Sequence, residues 1–251
     1  MQRSKIEYLR GPDGREGFTW NPIKMRCSPA SAGCANCWHL KFAKRHASNP
    51  TFKDDAKQAY RGGSPFLDRE ELMSPRRVKK SSLIAVQFMG DLFHDAVPLS
   101  WIQDVYGVID LCPQHTFLVL TKRSKRLSDV FSACGPYGLV KNLWLGVSVE
   151  DQAAFDDRIP LLLRTPAAKR WVSVEPMLGP VDISDAVHSS NLGPRYAGID
   201  LIVCGSETGP RKRPCHPEWV DSLRAQCLAA GVPFFGKVDR EGKPIGPRQM
   251  P

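Results

Sequence analysis

Leu143-Trp144-Leu145-Gly146-Val147-Ser148, then residues 152–163, then Trp171-Val172-Ser173-Val174, is the stretch that decides the fold. The two outer runs are apolar and do not alternate with polar residues. Strands covered on both faces read this way, as in a parallel sheet packed under helices. The middle segment is amphipathic. The trio therefore reads strand–helix–strand.

The same alternation extends in both directions. Leu83-Ile84-Ala85-Val86-Gln87-Phe88 and Thr116-Phe117-Leu118-Val119-Leu120 precede it, and Gly17-Phe18-Thr19-Trp20 is a weaker first run. Leu201-Ile202-Val203-Cys204 and Val232-Pro233-Phe234-Phe235 follow. Residues 101–111 read as a helix capped by Ser100. Residues 217–230 read as another, with Trp219, Val220, Leu223, Cys227 and Leu228 apolar and Gly231 as its stop. Six or seven such units predict an α/β protein whose leading architecture is a complete or partial (β/α) barrel, with an open doubly wound sheet as the alternative. Residues 48–80 read as a basic, irregular insertion, and residues 237–251 as an irregular tail. With no repeat and no linker, the chain reads as a single domain over residues 1–251.

The 251 residues are 42% hydrophobic and 24% charged, the balance of an ordinary globular protein. No apolar run is long enough to span a bilayer, and residues 1–10 lack the apolar core of a signal peptide. A cytoplasmic location with no membrane partner is the expectation. A formal net charge of +9 favours an anionic partner, although basic surfaces are also common on proteins that touch no nucleic acid. The cationic groups are Arg76-Arg77, Lys79-Lys80, Lys122-Arg123, Lys125-Arg126 and Arg211-Lys212-Arg213; they read either as a phosphate-tracking surface or as solvated charge.

Of eight cysteines, three cluster as Cys27-x6-Cys34-x2-Cys37. The x2 pair lets two thiolates reach one metal. Three thiolates leave one iron of a four-iron, four-sulfur (4Fe-4S) cluster open to a ligand. A structural zinc would need a fourth ligand, for which His39 and His46 are candidates, and three unrelated thiols are the remaining alternative. Cys112, Cys134, Cys204, Cys215 and Cys227 are scattered and read as buried or neutral thiols.

Beyond the cysteines, Trp20-Asn21-Pro22, Cys34-Ala35-Asn36-Cys37-Trp38 and Ala43-Lys44-Arg45 resemble the opening of the phage Gp37/Gp68 (DUF5131-like) family. The resemblance continues through residues 89–94, 120–123, 146–150, 173–180, 205–207 and 216–220, covering most of the chain in family order. That family looks like a divergent branch of the radical S-adenosylmethionine (SAM) enzymes, some of whose phage members are associated with hypermodified thymine in DNA. The first cysteine gap departs from the usual radical SAM spacing, C-x3-C-x2-C, while the x2 pair and the aromatic Trp38 after it are kept.

The resemblance implies a radical-SAM-like barrel with its chemistry at the carboxyl ends of the strands. A 4Fe-4S cluster on Cys27, Cys34 and Cys37 would bind SAM and yield a 5′-deoxyadenosyl radical. Met89, Gly90 and Asp91 would meet the SAM amino group. Lys122, Ser148, Glu150 and Trp38 would complete the cofactor site. Glu175 and Cys204 are the candidate catalytic groups, and Glu207 and Arg123 the candidate substrate contacts. For Lys122, Arg123, Glu175 and the turn at Gly205, a salt bridge, a surface charge or a tight turn is the structural alternative. His94 reads as a structural hydrogen-bonding residue. The implied substrate is an amino-acid-modified thymine in phage DNA, isomerised by a radical rearrangement, with flavodoxin, or dithionite in vitro, as reductant. The competing reading is a non-catalytic nucleic-acid-binding protein with a structural zinc or iron–sulfur site. A radical SAM enzyme acting on a peptide or small molecule is a third.

Overall fold

The computed structural model describes residues 1–11, 14–133, 140–187, 198–237 and 243–251. Cys134 lies outside them, as do residues 238–242 of the tail. The chain forms two compact units. The first comprises Met1–Ala30, Cys37–Leu120 and Val140–Leu143, and the second Ser31–Asn36, Thr121–Leu139 and Trp144–Pro251. Among the described residues, no helix is long and apolar enough to cross a membrane.

In the first unit, β1 (Gln2–Arg3) pairs antiparallel with β2 (Glu16–Trp20). β3 (Ile23–Lys24) and β4 (Phe66–Leu67) form a separate antiparallel pair. β5 (Ser82–Val86) lies parallel to β2 and to β6 (Thr116–Thr121). Every residue of β5 is buried, which is why the run shows no polar alternation. The helices are α1 (Trp38–His46), α2 (Asp54–Arg61), the four-residue α3 (Arg69–Leu72) and α4 (Leu99–Asp110). Ile102, Val105, Val108 and Ile109 form the buried stripe of α4.

In the second unit, β7 (Leu143–Val149), β8 (Lys169–Val174), β9 (Leu201–Cys204) and β10 (Phe234–Gly236) run parallel in that order. α5 (Ser124–Ala133) precedes β7, and α6 (Gln152–Arg164), the short α7 (Ser184–Val187) and α8 (Pro217–Ala230) lie between the strands. Asp151 caps α6 by accepting from the Ala154 N–H at 2.9 Å. Gly231 ends α8 at φ +68°, as its place after the apolar stripe predicts.

The α/β class and the parallel strands agree with the sequence reading, and four local expectations need correction. Ser100 is not a cap: α4 begins at Leu99, Pro98 holds the cap position, and its carbonyl accepts from Trp101 and Ile102. Leu228 is 81% exposed; the buried stripe of α8 is Val220, Leu223 and Cys227, and Leu228 sits a further step round the helix. The insertion at 48–80 is structured, because Ala56, Ala59 and Tyr60 bury one face of α2 before Gly62 stops it at φ +108°. The described part of the tail is also ordered against β10. The Gly236 N–H donates to the Pro247 carbonyl at 2.8 Å and the Gln249 N–H to that of Phe234 at 3.1 Å.

Close packing makes one glycine indispensable. A Cβ at Gly146 would fall inside the indole of Trp171, which is fully buried on the neighbouring strand β8. Gly146→Ala is therefore expected to destabilise the fold by about 1–3 kcal/mol through overpacking, read as a lower urea midpoint with an unchanged m-value.

Candidate functional site at the carboxyl ends of the strands

Register places the site in the second unit. Val149 pairs with Val174, Val174 with Cys204, and Cys204 with Gly236. The residues that follow, Glu150, Glu175, Gly205 and Lys237, therefore stand side by side where the parallel strands end. Barrel enzymes and open α/β sheets alike bind their ligands at this end.

Glu150 is the most constrained of them. Its Oε2 accepts from Lys122 Nζ at 2.9 Å and from Arg158 Nη1 at 3.0 Å, and its side chain is 3% exposed. Burial alone would raise its carboxyl pKa, but the Lys122 ammonium and the Arg158 guanidinium outweigh that and hold it at about 2. Lys122 also donates to Ser148 Oγ at 2.9 Å, and Ser148 Oγ donates to the Glu175 carbonyl at 3.1 Å. Three of the residues expected at the cofactor site, Lys122, Ser148 and Glu150, are thus one hydrogen-bonded group. Arg123 follows them, half-buried, its N–H donating to Thr121 Oγ1 at 2.9 Å.

Glu175 faces a partner outside the expected set. Lys237 Nζ lies 2.6 Å from its Oε1, and Ser173 Oγ donates to its Oε2 at 3.1 Å. Gly205 makes room, since a Cβ there would approach Glu175 Oε1 to 2.6 Å. Cys204 is fully buried behind this row, its Sγ 3.7 Å from Met177 Sδ. Burial, together with nearby Cys215, Glu175 and Cys227, pushes its thiol well above the ordinary value. That environment belongs to a neutral packing thiol.

Two contacts fasten the cysteine segment Ser31–Asn36 onto this row. A Cβ at Gly33 would come within 3.0 Å of Lys122 Nζ and 3.1 Å of Glu150 Oε2, so the backbone beside Cys34 rests directly on the ion pair. Asn36 Nδ2 donates to Glu207 Oε2 at 3.0 Å and to the Arg211 carbonyl at 2.9 Å. Arg213 engages both oxygens of Glu207, at 2.6 and 3.0 Å, and holds its carboxyl at about 2. Glu207 therefore serves as the anchor of the cysteine segment.

The first unit treats its own cysteine segment in the same way. β5 stops at Val86 because Gln87 takes φ +56°, a strained value for a non-glycine residue. Its buried amide accepts from the Ile23 N–H at 3.0 Å and donates to the carbonyls of Ile23 and Met89. Asn21 Oδ1 accepts from the Met89 N–H at 2.8 Å. Gly90 sits at φ +127° against Met25, and Asp91 accepts from the Phe93 N–H at 2.9 Å within its own turn. His94 Nε2 lies 2.8 Å from Ser28 Oγ, pinning the residue after Cys27 just beyond the carboxyl end of β5. His39, 2% exposed, accepts from the Cys27 N–H through Nε2 at 3.2 Å. Burial and His46 lower its pKa to about 4, so it is neutral. His46 packs among Phe42, Phe52 and Tyr60. Both candidate zinc histidines thus have structural roles. Trp38 is 45% exposed at the start of α1.

Thiolates are the donors an iron–sulfur cluster takes. Cys27, Cys34 and Cys37 are partly exposed and in no disulfide, whereas Cys112, Cys204 and Cys227 are buried and their thiols are pushed up. Among the described residues no three His, Cys, Asp or Glu side chains stand grouped as metal ligands. Sequence reasoning missed Gly33, Asn36, Gln87, Arg158 and Lys237. Only Gly33 and Asn36 carried a signal, as neighbours of the cysteines; Gln87 and Lys237 have partners more than sixty residues away, and Arg158 reaches Glu150 only because α6 folds back beside the end of β7.

Replacing Glu150 with Gln leaves Lys122 and Arg158 facing each other without a carboxylate. Glu150→Gln is expected to cost about 3–5 kcal/mol in urea denaturation. The Glu150 pKa is lowered from its ordinary 4.5 to about 2 on folding, so its contribution is complete above the unfolded value and lost as pH falls toward the folded one. Stability measured across that acid window should fall less steeply in the variant than in the wild type.

No curated protein and no solved structure matches the chain. One family model matches residues 3–243, nearly the whole length, and its description reads "Protein of unknown function (DUF5131)". The motifs that frame the cysteines and the strand ends lie within that match, and the chain belongs to the DUF5131 family.

Proposed function

We propose that this chain is a radical SAM enzyme built on a partial (β/α)6-type barrel. The reading places a 4Fe-4S cluster on Cys27, Cys34 and Cys37. One observation carries it: the segment bearing Cys34 is fastened by Gly33 and Asn36 onto the carboxyl ends of the parallel strands, beside a row of ionised side chains. A cluster held by Cys27, Cys34 and Cys37 would supply the one-electron chemistry for cleaving SAM and so for abstracting a substrate hydrogen, with a flavodoxin-type reductant or dithionite as the electron source.

The residues of the chain take up the remaining tasks. Lys122, held at 2.9 Å from both Ser148 and Glu150, offers a fixed cation to a carboxylate. Met89, Gly90 and Asp91 form the turn that would meet the SAM amino group. Glu175 and Lys237, 2.6 Å apart and partly exposed, present a carboxylate and an ammonium to a zwitterionic group. An amino-acid-decorated thymine carries such a group, and the net charge of +9 suits DNA as its bearer. Isomerisation of that modified base in phage DNA is the reaction we assign. A flipped-out nucleotide would bring the base to the strand ends.

Anaerobic reconstitution with iron and sulfide, reduction, and addition of SAM should yield 5′-deoxyadenosine. Cys27→Ala, Cys34→Ala and Cys37→Ala should each abolish it. Lys237→Met should leave cluster content unchanged and lower turnover of modified DNA. A protein that takes up zinc alone and never cleaves SAM would overturn the assignment and leave a nucleic-acid-binding module.

A further inference from the structure

Helix α1 leaves one face without a covering in its own unit. Trp38 is 45% exposed and Phe42 41% exposed; among the described residues the other large exposed hydrophobics are the leucines Leu99, Leu111 and Leu228. Spacing of four residues puts both rings on one face of the helix. Their centroids are 5.6 Å apart and the rings stand nearly edge to face, at 85°. The packed side of α1, with His39 and Ala43 buried, lies about 100° round the helix from the rings.

Charge accompanies the rings. Lys41, Lys44 and Arg45 are exposed, and the helix has no acidic residue. The Arg45 guanidinium lies 5.8 Å from the centre of the Phe42 ring. A purely apolar partner would have no use for three cations beside the aromatic pair, and an acidic peptide would have little use for two half-exposed rings. An unpaired nucleotide strand uses both, because bases stack on aromatic rings while phosphates follow the cations. The helix also begins at the residue after Cys37, so a strand lying along it is led to that cysteine.

We infer that the exposed face of α1, formed by Trp38, Phe42, Lys41, Lys44 and Arg45, is a docking surface for single-stranded or locally unpaired nucleic acid. Two bases stack on the rings and neighbouring phosphates pair with the cations. The inference rests on the nucleic-acid substrate of the reading above but not on its cluster or on SAM.

The test is fluorescence anisotropy with a short labelled oligothymidylate and with the same strand annealed to its complement, using the full chain across a salt series. The wild type should bind the single strand more tightly than the duplex and show quenched tryptophan emission. Trp38→Ala/Phe42→Ala should bind at least about tenfold more weakly. Lys41→Ala/Lys44→Ala/Arg45→Ala should flatten the slope of log affinity against log salt by about 2. Trp38→Phe keeps a ring at that position, and it should retain binding while losing the quenching. Because both rings are substantially exposed, the alanine variants should keep the wild-type far-UV spectrum. If the double variant were misfolded, Trp38→Phe and Phe42→Ala alone would decide. Undiminished binding by the aromatic variants would overturn the α1 surface and leave DNA as the substrate. Failure of the wild type to bind any oligonucleotide would overturn both, whatever the yield of 5′-deoxyadenosine.

Discussion

A buried carboxylate at the end of β7 governs the second unit. Glu150 stays ionised in a nearly solvent-free position only because Lys122 and Arg158 reach it from different elements. An isolated charge there would be too costly to bury, so the group stands or falls as a unit. Arg158 belongs to α6 and Lys122 follows β6, and both must therefore be in place for β7 to end as it does. The same ammonium positions Ser148, which in turn ties to the carbonyl of Glu175 on the next strand. Fold and candidate site are here the same set of bonds.

That rigid floor explains how a loop rich in reactive side chains is held. Loops position chemistry well only when a scaffold fixes them. Gly33 permits the closest approach to the ion pair, and Asn36 reaches Glu207, which Arg213 fixes in turn. In the first unit the corresponding devices are the strained Gln87, whose amide satisfies Ile23 and Met89, and His94 on Ser28. Cys27 in the first unit and Cys34 in the second are each held near the carboxyl ends of that unit's parallel strands.

The basic balance of the chain also takes on a different meaning once partners are known. Lys122, Arg158, Arg213 and Lys237 are matched to Glu150, Glu207 and Glu175, so they add little to any outward field. Lys125 pairs with Asp129 on the surface. Arg76, Arg77, Lys79 and Lys80 are exposed but precede β5 at its amino end, away from the turn at Met89 to Asp91. The exposed cations of α1 are placed differently, next to aromatic rings and to Cys37.

The sequence by itself determined the α/β class, the strands and the longer helices, because burial on both faces and helical amphipathicity are local patterns. Short motifs also marked the cysteine segment and the residues at the strand ends. Tertiary structure alone decided what those residues do to one another. Glu207, expected at the substrate, accepts from Asn36; Cys204, read both as a buried thiol and as a candidate catalytic group, is fully buried; Lys237, read as tail, faces Glu175. A side chain's role depends on its partner and its exposure. When that partner lies tens of residues away, no local pattern records it.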